Sequence, residues 1–79
     1  MAKKPDWTGP GSTKMIPLVS SVVKEAGYDP ERRKMYLRFP SGEIYDFCNV
    51  PRSVFDDLLR ARSPGTYYDK NIRGRYPCH

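Results

Sequence analysis

Histidine is nearly missing from this sequence, cysteine occurs twice and tryptophan once. No stretch approaches the run of about 18 apolar residues that a membrane-spanning helix needs, so no segment is expected to cross a bilayer. The one histidine, His79, is the last residue, where nothing is placed to orient it for proton transfer. With Cys48 and Cys78 it makes three candidate metal ligands, whereas a closed structural zinc site takes four. Ser20 and Ser21 have no evident base, and the acids show no recognisable pairing. The segment Thr8-Gly9-Pro10-Gly11-Ser12-Thr13 bears glycine but lacks the spacing and the Gly-Lys ending of a phosphate-binding loop. The chain therefore reads as a non-enzyme with no catalytic residue, no metal and no cofactor. Met1-Ala2-Lys3-Lys4-Pro5-Asp6 has charge but no apolar region behind it, so it does not read as a secretory signal. The expectation is a cytoplasmic protein with free thiols, Cys48 serving as a small apolar strand residue; a disulfide is the alternative in an oxidising compartment.

What the sequence does have is positive charge in one place. The 79 residues carry 14 Lys and Arg against 9 Asp and Glu, a net charge of +5. From Arg60 onward the cations are Arg60, Arg62, Lys70, Arg73 and Arg75, with Asp69 the only acid. A localised positive field favours phosphate backbones or acidic protein surfaces. The plainer alternative is a solvated surface that serves solubility.

Residues 1–16, with Pro5, Gly9, Pro10, Gly11 and Ser12, read as a flexible tail in which Trp7 is a candidate anchor. Residues 17–79 read as a single domain. Leu18-Val19-Ser20-Ser21-Val22-Val23 is apolar and β-branched and suits a first strand, ended by a turn at Gly27-Tyr28-Asp29-Pro30-Glu31. Lys34–Phe39 alternates, with Met35, Leu37 and Phe39 on one face and Lys34, Tyr36 and Arg38 on the other. After Pro40-Ser41-Gly42 a third strand runs from Glu43 to Cys48. Pro51 suits the first position of a helix whose stripe is Val54, Phe55, Leu58, Leu59 and Ala61, with Asp56 and Asp57 toward its start and Arg60 and Arg62 at its end. Ser63-Pro64-Gly65 stops it, and a short helical segment capped by Thr66 and ended by Gly74 follows. The expected class is α+β: a three-stranded antiparallel β-meander packed against one α-helix, followed by a short C-terminal helical turn.

From Ser20 to Pro77 the order of motifs resembles the KTSC domain family, named for its occurrence at the C-terminus of some lysyl-tRNA synthetases. The resemblance rests on Ser20-Ser21, Gly27-Tyr28-Asp29, Phe39 with Ser41-Gly42, Tyr45-Asp46-Phe47, Val50-Pro51, and the series Ser63-x-Gly65-x-Tyr67-Tyr68-Asp69-x-x-Ile72-Arg73-x-x-Tyr76-Pro77. No single piece is diagnostic; the whole series at these spacings is fairly specific. It implies a small stand-alone bacterial protein of uncharacterised function, with RNA binding as the usual suggestion. Two positions depart from the family pattern. Its central Tyr-x-Tyr motif here ends in Phe47, without the phenolic hydroxyl, and Asp69 stands where the family tends to have Asn.

Two surfaces could carry binding. If Ser41-Gly42 is a two-residue loop, Arg38 pairs with Tyr45, and Tyr36, Arg38, Tyr45 and Phe47 form an exposed platform for stacking bases. If Pro40-Ser41-Gly42 is a three-residue loop with Gly42 at positive φ, Leu37 pairs with Tyr45 and Met35 with Phe47, and both aromatics enter the core. Hydrophobic matching favours the second register. The other surface is C-terminal: Arg60, Arg62, Lys70, Arg73 and Arg75 offer phosphate-matching donors, and Tyr76 offers a ring face. Ser63 could bond the turn backbone, and the helix N-terminus at Thr66 could receive a phosphate. Against this stands a structural role, in which Ile72 packs inward, Arg73 pairs with Asp56, Asp57 or Asp69, and Tyr67 or Tyr68 seals the sheet edge. The expected function is binding of RNA or single-stranded nucleic acid by these residues with Tyr36 and Arg38, as a monomer or weak dimer. The alternatives are a protein-interaction module docking on an acidic partner surface and a small anionic nucleotide pocket between the helix end and the C-terminal arginines.

Overall fold

The computed structural model describes residues 13–78. Four antiparallel strands, β1 (Met15–Pro17), β2 (Glu25–Asp29), β3 (Lys34–Arg38) and β4 (Ile44–Phe47), form one sheet in the order β1-β2-β3-β4. Two helices, α1 (Arg52–Arg60) and α2 (Pro64–Asn71), follow. The class is α+β, with one more strand than the sequence suggested and a second helix that begins and ends earlier than the expected Thr66–Gly74. Trp7 and the rest of the expected tail up to residue 12 lie outside the described residues, but Met15 and Ile16, also expected there, are in the sheet.

The expected first strand is instead a loop, and the physical reason is local. Ser20 Oγ accepts the backbone N–H groups of Val22 and Val23 at 3.0 and 3.2 Å, and Lys24 Nζ donates to the Ser20 carbonyl at 3.0 Å. A serine hydroxyl that binds the backbone two and three residues on competes with strand pairing. The loop closes with Leu18 N–H donating to the Lys24 carbonyl at 2.9 Å. Only Val23 of this run is fully buried; Val19 is 98% exposed. The strand lies on either side of it. Gly27-Tyr28-Asp29, expected as a turn, is the heart of β2, and the turn begins one residue later at Pro30, where Asp29 Oδ1 accepts from Glu31 and Arg32 N–H.

The β3–β4 hairpin settles the register. Leu37 pairs with Tyr45 and Met35 with Phe47, and Gly42 sits at φ +95. Gly42 N–H donates to the Phe39 carbonyl and Phe39 N–H to the Glu43 carbonyl, closing Pro40-Ser41-Gly42 as the loop. Alternation then assigns the faces. Ala26, Tyr28, Met35, Leu37 and Phe47 face the helices; Phe55 and Leu58 of α1 with Val23, Val50 and Ile72 complete the core. Tyr28 stacks on Phe55 at 5.4 Å, and its hydroxyl donates to the Val50 carbonyl at 2.7 Å.

Helix ends differ from expectation by small, explicable shifts. Pro51 is the N-cap of α1 rather than its first residue. Asp56 and Asp57 fall mid-helix, where they pair with Arg52 and Arg60. The cap of α2 is Ser63, not Thr66: its Oγ accepts Thr66 N–H at 3.4 Å, and Pro64 occupies the first turn.

Candidate nucleic-acid interface

The structure divides the expected site residues between two faces of the sheet. Tyr36 and Arg38 point away from the helices, so they cannot share a surface with the C-terminal cations. Tyr36 is also only 5% exposed, which removes it as a stacking platform. Its partner across the ladder is Gly27, which has no side chain to hold the ring off the sheet. Met15 lies over Gly27, its Sδ 2.7 Å from where a Cβ would stand, and Lys34 Nζ sits 5.8 Å from the Tyr36 ring centre. Arg38 is committed structurally, with Nε donating to Glu25 at 2.9 Å and Nη1 to the Gly42 carbonyl at 2.9 Å.

The platform fails for the other two aromatics in different ways. Phe47 enters the core as its register requires. Tyr45 takes the core-facing side of β4 yet stays 51% exposed, because β4 is the edge strand of the sheet. Its ring contacts Phe39 at 5.3 Å, and its hydroxyl donates to Glu43 at 3.0 Å, a bond that pushes the phenol pKa up. Tyr68 is the residue that seals this edge, packed edge-on against Phe39 and Phe47. Tyr67 beside it has its pKa raised, by burial first and then by Asp57 and Tyr76.

On the helix side the C-terminal cations are all exposed. Arg60 is paired with Asp57 at 3.2 Å and Arg73 with Asp69 at 3.0 Å, both within a single helical turn. Exposed pairs of this kind contribute about 0.3–0.5 kcal/mol, little enough for a phosphate to displace the carboxylate. Arg62, Lys70 and Arg75 engage no carboxylate among the described residues. Tyr76 is half-buried against the core, and its carbonyl accepts Cys48 N–H at 3.0 Å.

The structure also joins two motifs that the sequence presents separately. The loop of Ser20 and Ser21 and the start of α2 enclose an open depression of about 360 Å³. Hydroxyls of Ser20, Ser21, Ser63 and Thr66 line it, with Arg62 and Asp69 at its margin. Gly65 permits this approach: a Cβ there would lie 2.8 Å from Val22 Cγ2. The Ser63 hydroxyl donates to Thr66 Oγ1 at 3.0 Å, so the cap and the depression share one bond network. A further depression of about 350 Å³ at the Asp29–Arg32 turn contains none of the expected residues.

Cys48 and Cys78 form a disulfide, with Cα atoms 4.9 Å apart, which overturns the expectation of free thiols. The spacing of 30 residues conceals a proximity that the fold creates, since α1 and α2 return the chain to the end of β4. No described helix is long and apolar enough to cross a membrane.

Comparison with known proteins places this architecture. Residues 19–76 match the KTSC domain. A protein of Tsukamurella paurometabola is 42% identical over 62 residues, covering 78% of this chain and 92% of that protein. A lysine–tRNA ligase of Nostoc punctiforme is 36% identical over 56 residues, 71% of this chain but 10% of the ligase, so the chain corresponds to about a tenth of that enzyme. The crystal structure of a KTSC domain protein from Yersinia pestis superposes with a TM-score of 0.80 at 28% identity, covering 85% of this chain and 94% of that one. Sequence and fold together make the chain a member of the KTSC domain family.

Proposed function

We propose that this domain is a cytoplasmic, non-enzymatic binding module for RNA or single-stranded nucleic acid, held through phosphates by the C-terminal cations. The observation that carries the reading is the set of exposed C-terminal cations that engage no carboxylate among the described residues, Arg62, Lys70 and Arg75, of which Arg62 lines the hydroxyl-bearing depression. Arg60 and Arg73 join by exchanging an exposed carboxylate for a phosphate, and Tyr76 contributes the accessible part of its ring. Phosphate contacts supply affinity and little sequence preference. Relatives named as lysine–tRNA ligases carry the same segment, which associates the family with an RNA. Tyr36 and Arg38 have no part in this surface.

Fluorescence anisotropy of short single-stranded and hairpin RNAs over a salt series tests it. Neutralising three to five phosphates gives a log–log slope of about −2 to −3.5 on single strands. Arg62→Ala with Arg75→Ala should weaken binding for every sequence alike and flatten the slope. No binding at low salt would refute the reading. Val19, nearly fully exposed on the lining of the depression, favours a protein partner as the second reading; Val19→Ser should abolish such an association, whereas Arg62→Ala with Arg75→Ala should be the change that weakens RNA binding.

A further inference from the structure

The disulfide joins a segment that gives the core one half-buried ring, Tyr76, and none of its fully buried residues. The buried cluster takes its last contribution from Ile72, and α2 is closed there by Ile72 N–H bonding to the Tyr68 carbonyl. Beyond Ile72 the chain is held back onto the sheet by few contacts. They are the half-buried Tyr76 ring, the Cys48 N–H bond to the Tyr76 carbonyl, and the Cys48–Cys78 bridge, while Arg73 and Arg75 N–H bond only to the Tyr68 and Ile72 carbonyls at the end of α2 and Arg73 pairs with Asp69. Both cysteines are half-buried and neither belongs to the buried cluster, so the bridge lies outside the closed core. The chain contains no third cysteine to compete.

We propose that Cys48 and Cys78 form a thiol-redox site that latches residues 73–78, with Arg75, against the end of β4. Opening consumes a dithiol reductant. Its thiolate attacks one sulfur, the protein S–S bond breaks, and the second cysteine leaves as a thiolate. The reductant's other thiol resolves the mixed disulfide, leaving two protein thiols and an oxidised, cyclic reductant. Closing runs through a small-molecule disulfide: the two protein thiols become one disulfide, and the small disulfide is reduced to two small thiols, which carry away the two protons. Disulfides in a reducing cytosol are typically transient and redox-sensing, so the two states interconvert in the compartment proposed above. Opening releases residues 73–78 from the end of β4 and leaves the fold intact, because the last fully buried residue of the core is Ile72.

Amide exchange and tryptic cleavage of the oxidised and dithiothreitol-reduced protein, without nucleic acid, test the latch. In the reduced protein the Cys48 amide should lose protection and trypsin should cut after Arg73 and Arg75 about tenfold faster or more, while core amides of Leu37 and Leu58 stay protected. The double variant Cys48→Ser/Cys78→Ser should match the reduced protein under either condition, and hydroxyethyl disulfide should re-close only the parent chain. Equal protection of Cys48 in both states would overturn the latch. So would loss of Leu37 and Leu58 protection on reduction, which would make the bridge a staple of the whole fold. A state-dependent C-terminus in a protein that binds no RNA would uphold the latch and refute the nucleic-acid reading alone.

Discussion

Gly65→Ala perturbs the contact that builds the candidate site. The added Cβ would lie 2.8 Å from Val22 Cγ2, 2.9 Å from Val22 Cβ and 3.6 Å from Ser20 Oγ. Carbon atoms prefer separations of about 3.5–4.0 Å, so two of these contacts are repulsive. Val22 has a β-branched, rotationally stiff side chain, and its own N–H is held by Ser20 Oγ. Relief therefore requires the whole loop to shift from α2. Overpacking of this kind costs about 1–3 kcal/mol, whereas replacing Gly by Ala within a helix contributes up to about 1 kcal/mol in the other direction. The clash wins, by about 1–2 kcal/mol. For a domain of this size that lowers Tm by roughly 5–15 °C, read by circular dichroism with an unchanged urea m-value. In the double variant Val22→Gly/Gly65→Ala the two changes should be less than additive, because both repelling carbons, Cγ2 and Cβ, are gone. A Gly65→Ala protein as stable as the parent, or more so, would refute the close approach of loop and helix.

Three further outcomes follow from single contacts. Tyr28→Phe removes the 2.7 Å bond to the Val50 carbonyl but keeps the stack on Phe55, so urea unfolding should show a loss of about 1 kcal/mol. Gly42→Ala meets no neighbour, yet its φ of +95 disfavours any L side chain; a loss of about 1–2 kcal/mol by thermal melting is expected, and none would argue against the loop. Tyr45 holds its proton more tightly in the folded state through Glu43, so that contribution to stability is complete below the ordinary tyrosine pKa of 10.0 and is lost as pH rises through the raised value. Ultraviolet titration of tyrosinate should show this group returning toward 10.0 in Glu43→Gln.

How far the fold could be read from the residues depended on how local its causes are. The β3–β4 hairpin and α1 were legible, because alternation, the Gly42 turn and a helical apolar stripe are short-range signals. The first two strands were not. Ala26 and Gly27 have little strand propensity and pair because their neighbours demand it, while the β-branched run before them is diverted by the Ser20 hydroxyl. Tyr36 misled because alternation with Lys34 and Arg38 implies a wet face, whereas Met15 and Gly27 turn that face into a second buried patch. The exposed C-terminal cations were foreseeable from composition. The convergence of Ser20-Ser21 on Ser63-x-Gly65, and of Cys48 on Cys78, depends on tertiary return of the chain and leaves no trace in spacing.

The most direct test of the central claim is amide chemical-shift mapping of the labelled protein during titration with a single-stranded oligoribonucleotide at low salt. The account predicts shifts concentrated at residues 60–66 and 70–76, reversed by added salt, with Tyr36 and its strand neighbours unmoved. Shifts centred instead on Ile44 and Tyr45 at the open sheet edge, or none at all, would contradict it.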